Sequence, residues 1–159
     1  MATTPGQERE LAELTSRLRL AITRTARRMR QESGGELSPT LIAALATIEV
    51  HGPITPSELA EIERVQRPTA TRVAATLERD GLIVRAADPS DGRASLLSAS
   101  AEGRALLRRV RRRKNAYLAR RLHELDGAEL DALERAAEVL EHLLADDSRG
   151  RRPGSRGAS

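Results

Sequence analysis

Apolar side chains first recur at helical spacing at Leu11, Leu14, Leu18, Ile22 and Met29, in register with Thr25, while Arg and Glu fill the intervening positions. This period predicts a long amphipathic helix from Glu8 to about Glu32, ended by Ser33-Gly34-Gly35, because paired glycines are poor helix interior. Ser38 and Pro39 then form a start signal, an N-cap followed by proline at the first helical position. The apolar run Leu41 to Val50 that follows reads as a buried helix. His51-Gly52-Pro53 breaks the chain, and Thr55-Pro56-Ser57-Glu58 has the spacing of a capping box, opening a short helix from Ser57 to about Glu63. Ala70, Val73, Ala74 and Leu77 recur at i, i+3, i+4 and i+7, so a further helix is expected from Pro68 to about Asp80. Two short helices with a tight connection form a helix-turn-helix candidate.

Gly81 stops that helix. Leu82-Ile83-Val84-Arg85-Ala86 is a β-favouring run, Asp88 to Arg93 is turn-rich, and Ser95 to Ser100 is a second strand candidate, so a hairpin follows the two helices as a wing. Helical patterning resumes at Ala101 through Leu106, Leu107, Val110, Tyr117, Leu118 and Leu122. A second capping pattern at Leu125 to Glu129 precedes Leu130, Leu133, Ala137, Leu140 and Leu144. The expected fold is mainly α with a small β-wing: a winged helix-turn-helix plus a helical dimerisation region built from N- and C-terminal helices. Its parts are a flexible N-terminus (1–7), an N-terminal dimerisation helix (8–33), the winged helix-turn-helix (37–100), C-terminal dimerisation helices (101–145) and a disordered basic tail (146–159). The two terminal helical regions carry apolar stripes that one small domain cannot bury alone, which predicts a two-fold homodimer.

Composition narrows the function classes. A chain of 159 residues suits one domain, and no apolar run approaches the roughly 20 residues of a membrane helix, so no membrane association and a cytoplasmic location are expected. Without cysteine, and with His51, His123 and His142 scattered, neither a metal site nor a thiol chemistry is expected. No nucleophile elbow or phosphate loop is present, so no catalytic residue and no cofactor are predicted. The net charge is +4, but residues 101–125 carry nine Arg/Lys against two Glu, +7, whereas residues 126–145 carry one Arg against six acidic residues, −5. On a helix the run Arg108 to Lys114 spreads around the whole circumference. Pairing with the acidic segment that follows and attraction to DNA are both open readings of it.

The run RPTATRVAATLERDGLIVRAADPSDGRASLLSASAEGRALL resembles the recognition helix, wing and following helix of the MarR family. The wing Asp88-Pro89-Ser90-Asp91-Gly92-Arg93, with Glu102-Gly103-Arg104-Ala105-Leu106 after it, is its most specific part, and the order of elements extends the resemblance to residues 8–145. The chain departs from the family pattern at Gly92, where Arg is frequent, at Ala99-Ser100 in place of Leu-Thr, and near Ala75-Thr76, where a basic residue is frequent. Ser100 keeps the ability to cap the next helix.

The resemblance implies a DNA-binding transcriptional regulator. A helix lying in the major groove reads base edges with its N-terminal residues, here Gln66, Arg67, Thr69, Thr71 and Arg72. Residues 64–79 carry four arginines against Glu78, a local +3. The resemblance further implies that Arg93 at the wing tip reaches the minor groove or its phosphates with Asp91 holding its guanidinium. It also implies a small-molecule effector pocket between dimerisation helices and winged domain, for which Met29 and Tyr117 are the candidate residues. The expected partners are therefore double-stranded DNA, a second copy of the chain and an effector, and the leading reading is a repressor of a palindromic operator, with an activator leaving the same signature. An architectural DNA-coating protein and a module used only for protein contacts are the alternatives of other classes.

Overall fold

The computed structural model describes residues 4–32, 34–89 and 94–149, and side chains as far as residue 145. Among these described residues, six helices and a two-stranded sheet follow one another as α1 (Pro5–Glu32), α2 (Pro39–His51), α3 (Pro56–Glu63), α4 (Arg67–Arg79), β1 (Ile83–Ala87), β2 (Ser95–Ala99), α5 (Ala101–Leu122) and α6 (Gly127–Arg149). The chain divides into two compact units, residues 1–117 and 118–159. The mainly helical architecture with a β-wing is the one expected. No helix among the described residues is long and apolar enough to cross a membrane.

Local chemistry sets the helix starts in the first unit. Ser38 caps α2 by accepting from the Leu41 N–H at 3.4 Å. At α3 the capping box closes in both directions: Glu58 N–H donates to the Thr55 hydroxyl at 3.2 Å, and Thr55 N–H donates to Glu58 Oε2 at 2.7 Å. Helix α1 begins at Pro5, three residues before the expected start at Glu8, because proline suits the first helical turn and Gln7 Oε1 accepts from the Thr4 N–H at 3.1 Å. The N-terminal segment expected to be flexible therefore includes a helix start.

The core lies between α2, α3, α4, the base of the wing and the first turns of α5. Leu45, Ile48, Leu59, Leu77, Ile83 and Leu97 are its fully buried large side chains, and Leu106, Leu107 and Val110 close it from α5. β1 and β2 pair antiparallel, Ile83 opposite Ala99 and Arg85 opposite Leu97. Ile54 extends this ladder as an isolated bridge, exchanging both backbone hydrogen bonds with Leu97 at 3.1 and 2.7 Å. A lone two-stranded ribbon is marginal in water, and this third rung fixes its base to the loop that precedes α3.

Ser100 joins wing to helix. Its hydroxyl donates to Gly81 O at 2.7 Å and accepts from Gly103 N–H at 3.0 Å, while its own N–H donates to Leu82 O at 3.0 Å. Gly103 is buried here, and a Cβ built on it would stand 2.0 Å from Leu82 O, so only glycine lets α5 approach this closely.

In contrast to this core, α1 buries none of its residues: Leu11, Leu14, Leu18 and Ile22 are 43–61% exposed. In the second unit, Asp126 and Glu129 exchange backbone-to-carboxylate hydrogen bonds of 2.8 and 3.1 Å that start α6, as their spacing predicts. Leu130, Leu133, Val139, Leu143 and Leu144 are likewise exposed along this helix. It runs to Arg149, past the boundary at 146 expected for the tail, because Ala145-Asp146-Asp147-Ser148 contains neither glycine nor proline to stop it. Residues 150–159 lie outside the described ones.

Candidate nucleic-acid interface

Helices α3 and α4 are joined by a turn of three residues. The α3 end is a Schellman-type closure in which Arg64 N–H donates to Glu61 O at 3.3 Å and Val65 N–H to Ala60 O at 3.0 Å, with Arg64 left-handed at φ 54°. A non-glycine residue in this conformation carries strain, here held by the two closing bonds. Gln66 begins α4 with extended backbone, accepting from the Thr69 and Ala70 N–H groups through its carbonyl. Its side chain makes no capping bond.

The inner face of α4 is Ala70, Ala74 and Leu77, each 1% exposed or less, with Val73 half-buried beside them. Two methyl side chains on this face let the helix sit close against the core. The outer face is polar. Gln66, Arg67, Thr71 and Arg72 are exposed and Thr69 is half-buried, so the structure puts the five sequence-predicted residues on the first two turns of α4 and its cap. Among the described residues no carboxylate pairs with Arg67 or Arg72, whereas Arg79 pairs with Asp80 at 3.1 Å and Glu78 with Arg85 at 3.1 Å. The acidic side chains at the far end of α4 are thus engaged, and its N-terminal end presents cationic and neutral donors. Such a surface suits hydrogen bonding to base edges and phosphates. The wing-tip residues Asp91 and Arg93 lie outside the described residues.

The basic run of α5 pairs differently from the sequence reading. Glu36, in the loop before α2, accepts from Arg113 at 2.7 Å and from Arg109 at 3.3 Å, Arg109 also approaches Glu102 at 3.5 Å, and Arg111 bonds Glu49 of α2. These carboxylates precede the run in the chain or belong to its own helix, and are not those of the acidic segment 126–145. The hydrogen bonds from Arg109 and then Arg113 hold the Glu36 carboxyl below its ordinary value.

A cavity of about 550 Å³ lies beside this cluster. Leu37, Ile42, Ala46 and Val110 form its apolar wall, and Arg30, Lys114 and Glu36 bring charge to it. Met29 and Tyr117, both half-buried, are not among the lining residues; Arg30 adjoins Met29, and Lys114 lies one turn before Tyr117. Lys114, the chain's only lysine, could have been singled out by its rarity. Among the described residues no cluster of His, Asp or Glu has the composition of a metal site.

A winged helix-turn-helix with this exposed helix face is the architecture of a DNA-binding regulator, and comparison with known proteins agrees. The MarR family profile matches residues 37–95. The HTH-type transcriptional regulator MT0903.1 of Mycobacterium tuberculosis is 39% identical over 134 residues, 84% of this chain and 94% of that protein. Among solved structures, a Pseudomonas aeruginosa PA01 protein superposes with a TM-score of 0.77 at 34% identity, covering 85% of this chain and 96% of the other. A mutant of S. aureus MepR bound to an oligodeoxyribonucleotide shares the fold at 17% identity with a TM-score of 0.65, over 82% and 97% of the two chains. The chain belongs to the MarR family. It is a helix-turn-helix transcriptional regulator and not an enzyme.

Proposed function

We propose that this regulator represses transcription by binding a palindromic operator as a homodimer, with the N-terminal end of α4 in the major groove and the wing against the flanking duplex. The observation that carries this reading is the division of α4 into an alanine-rich buried face and an outer face bearing Gln66, Arg67, Thr71 and Arg72. Arg matches guanine and Gln matches adenine in bidentate fashion, and threonine reaches phosphates or a thymine methyl. Two-fold symmetry sets the half-sites about one turn, ~10 bp, apart. The exposed apolar stripes of α1 and α6 support the dimer, since each is a row of leucines left to water in the single chain. The oligodeoxyribonucleotide bound to the structural neighbour MepR supports the use of this fold on DNA.

The effector reading rests on the cavity beside α5. Its volume of about 550 Å³ falls in the range of small-molecule sites. An apolar wall with Arg30 and Lys114 at its edge favours a small apolar anion. Such a ligand releases DNA only if it binds the DNA-incompetent form more tightly. A cytoplasmic protein is the setting this function requires.

The test is selection of binding sites from a random duplex pool at two salt concentrations. A recovered palindrome whose affinity falls steeply with salt supports the reading. Strong binding without a motif would replace it with an architectural role, and absence of binding at either salt with a role in protein contacts.

A further inference from the structure

Arg85 stands where the wing leaves the core. Along β1, Ile83, Arg85 and Ala87 share one face, and their partners across the ladder are Ala99, Leu97 and Ser95. Ile83, Leu97 and Ala99 are buried, whereas on β1 every residue beyond Ile83 is exposed. The outer half of the hairpin therefore has little packing to fix its direction. Ile54 holds its base at Leu97, but beyond that rung the ladder and the bond from Asp88 N–H to Ala94 O at 3.0 Å run within the hairpin and leave the direction of its outer half against α4 unspecified.

The Arg85 guanidinium supplies that restraint. Nε donates to Glu78 Oε2 on the last turn of α4 at 3.1 Å, and Nη1 donates to the Ser95 hydroxyl on β2 at 2.7 Å. One planar group thus ties both strands of the wing to α4, and its side chain is only 28% exposed. The same contact occupies Glu78, the one carboxylate among four arginines in residues 64–79. A free carboxylate on this helix would repel phosphates.

We propose that Arg85 is a positioning residue that fixes the angle between wing and recognition helix, so that both meet DNA in one geometry, and masks the charge of Glu78. Its effect on DNA rests on the binding mode proposed above, but its effect on the hairpin does not. Lysine cannot replace it fully, because an ammonium can pair with Glu78 but lacks the planar fork that also reaches Ser95.

The test uses the full chain with Arg85→Met, Arg85→Lys and Glu78→Gln. Without DNA, amide hydrogen exchange is followed in β1 and β2, with α2 as internal control. Arg85→Met should accelerate exchange at the wing amides by about tenfold while α2 is unchanged, and Arg85→Lys should fall between it and wild type. With operator duplex, Arg85→Met should lose about tenfold in affinity and lose backbone protection flanking the central grooves, and Glu78→Gln in the Arg85→Met background should recover part of the affinity. Unchanged wing exchange in Arg85→Met would overturn the positioning role whether or not DNA is bound. Failure of the wild-type chain to bind any duplex would overturn the binding mode and with it the charge-masking role, while the exchange result would still decide the positioning.

Discussion

Replacing Gly103 with alanine sets two known effects against each other. In an unobstructed helix interior the change stabilises by about 1 kcal/mol, because glycine has the larger conformational entropy to lose. Here the new Cβ would lie 2.0 Å from Leu82 O and 3.1 Å from Leu45 Cδ1, against an ordinary carbon–oxygen approach of about 3.3 Å. The obstruction is backbone, and it is pinned: Leu82 O accepts from Ser100 N–H, and Leu82 and Leu45 are both buried. Relief requires α5 to retreat from the turn by roughly 1 Å or more, which loosens Leu106 and Leu107 behind it and lengthens the Ser100 bonds. Overpacking costs about 1–3 kcal/mol and a weakened buried hydrogen bond about 1 kcal/mol. After the helix gain is deducted, a net loss of about 1–3 kcal/mol is expected, a fall in Tm of about 3–10 °C for a chain of this length. Urea and thermal unfolding followed by circular dichroism at one protein concentration measure it. Gly6→Ala is the control, since nothing lies within 4 Å of a Cβ there, and it should leave stability level or raised. A Gly103→Ala protein as stable as wild type would refute the reasoning, because the helix term would then outweigh a backbone collision.

Arg72→Ala should weaken operator binding by about 1–3 kcal/mol in a gel-shift titration and relax preference at one base position, as for a lost base contact; an equal loss on scrambled duplex would reassign it to phosphate. Thr55→Ala removes the hydroxyl that receives the Glu58 N–H and should cost about 1 kcal/mol in urea unfolding. At Glu58, hydrogen bonds from the Thr55 N–H and then its hydroxyl lower the carboxyl's pKa in the folded chain. Its contribution is therefore present above the ordinary glutamate value and lost as pH falls through the lowered one. The stability gap between wild type and Glu58→Gln should close on acidification; because the group is exposed, it should stay below about 1 kcal/mol, and a gap that widened instead would reverse the sign assigned. Leu14→Glu with Leu18→Glu should shift sedimentation from dimer to monomer, and an unchanged sedimentation coefficient would remove α1 from the interface.

What was legible in the sequence is what is local. Thr55 with Glu58, Asp126 with Glu129 and Ser38 before Pro39 act over three residues, so their spacing alone announces the bonds that the structure contains. The inner face of α4 followed from its period, and the exposure of Gln66, Arg67, Thr71 and Arg72 from being its complement. Contacts distant in sequence left no comparable trace. Glu36 meets arginines 73 and 77 residues away, and Ile54, the single apolar residue between Pro53 and Pro56, has no strand run around it to show that it joins Leu97. Met29 and Tyr117 neighbour the cavity residues Arg30 and Lys114 but do not line that cavity, because helical periodicity tells which residues share a face but not which neighbouring element leaves a gap beside it.

The Ile54 bridge makes the recognition machinery a single lever. Ile54 is bonded to Leu97 of the wing and is followed directly by Thr55, the cap of α3, while Ser100 at the other end of β2 is bonded to the turn behind α4 and to the first turn of α5. The base of the wing, the start of α3, the turn behind α4 and the first turn of α5 are therefore held to one another by hydrogen bonds. Val110 lies two turns along α5 from Gly103 and lines the cavity, so a side chain displaced there bears on the long arm of this lever. A tilt of α5 by a few degrees would carry α4 and the base of the hairpin together without changing the shape of either.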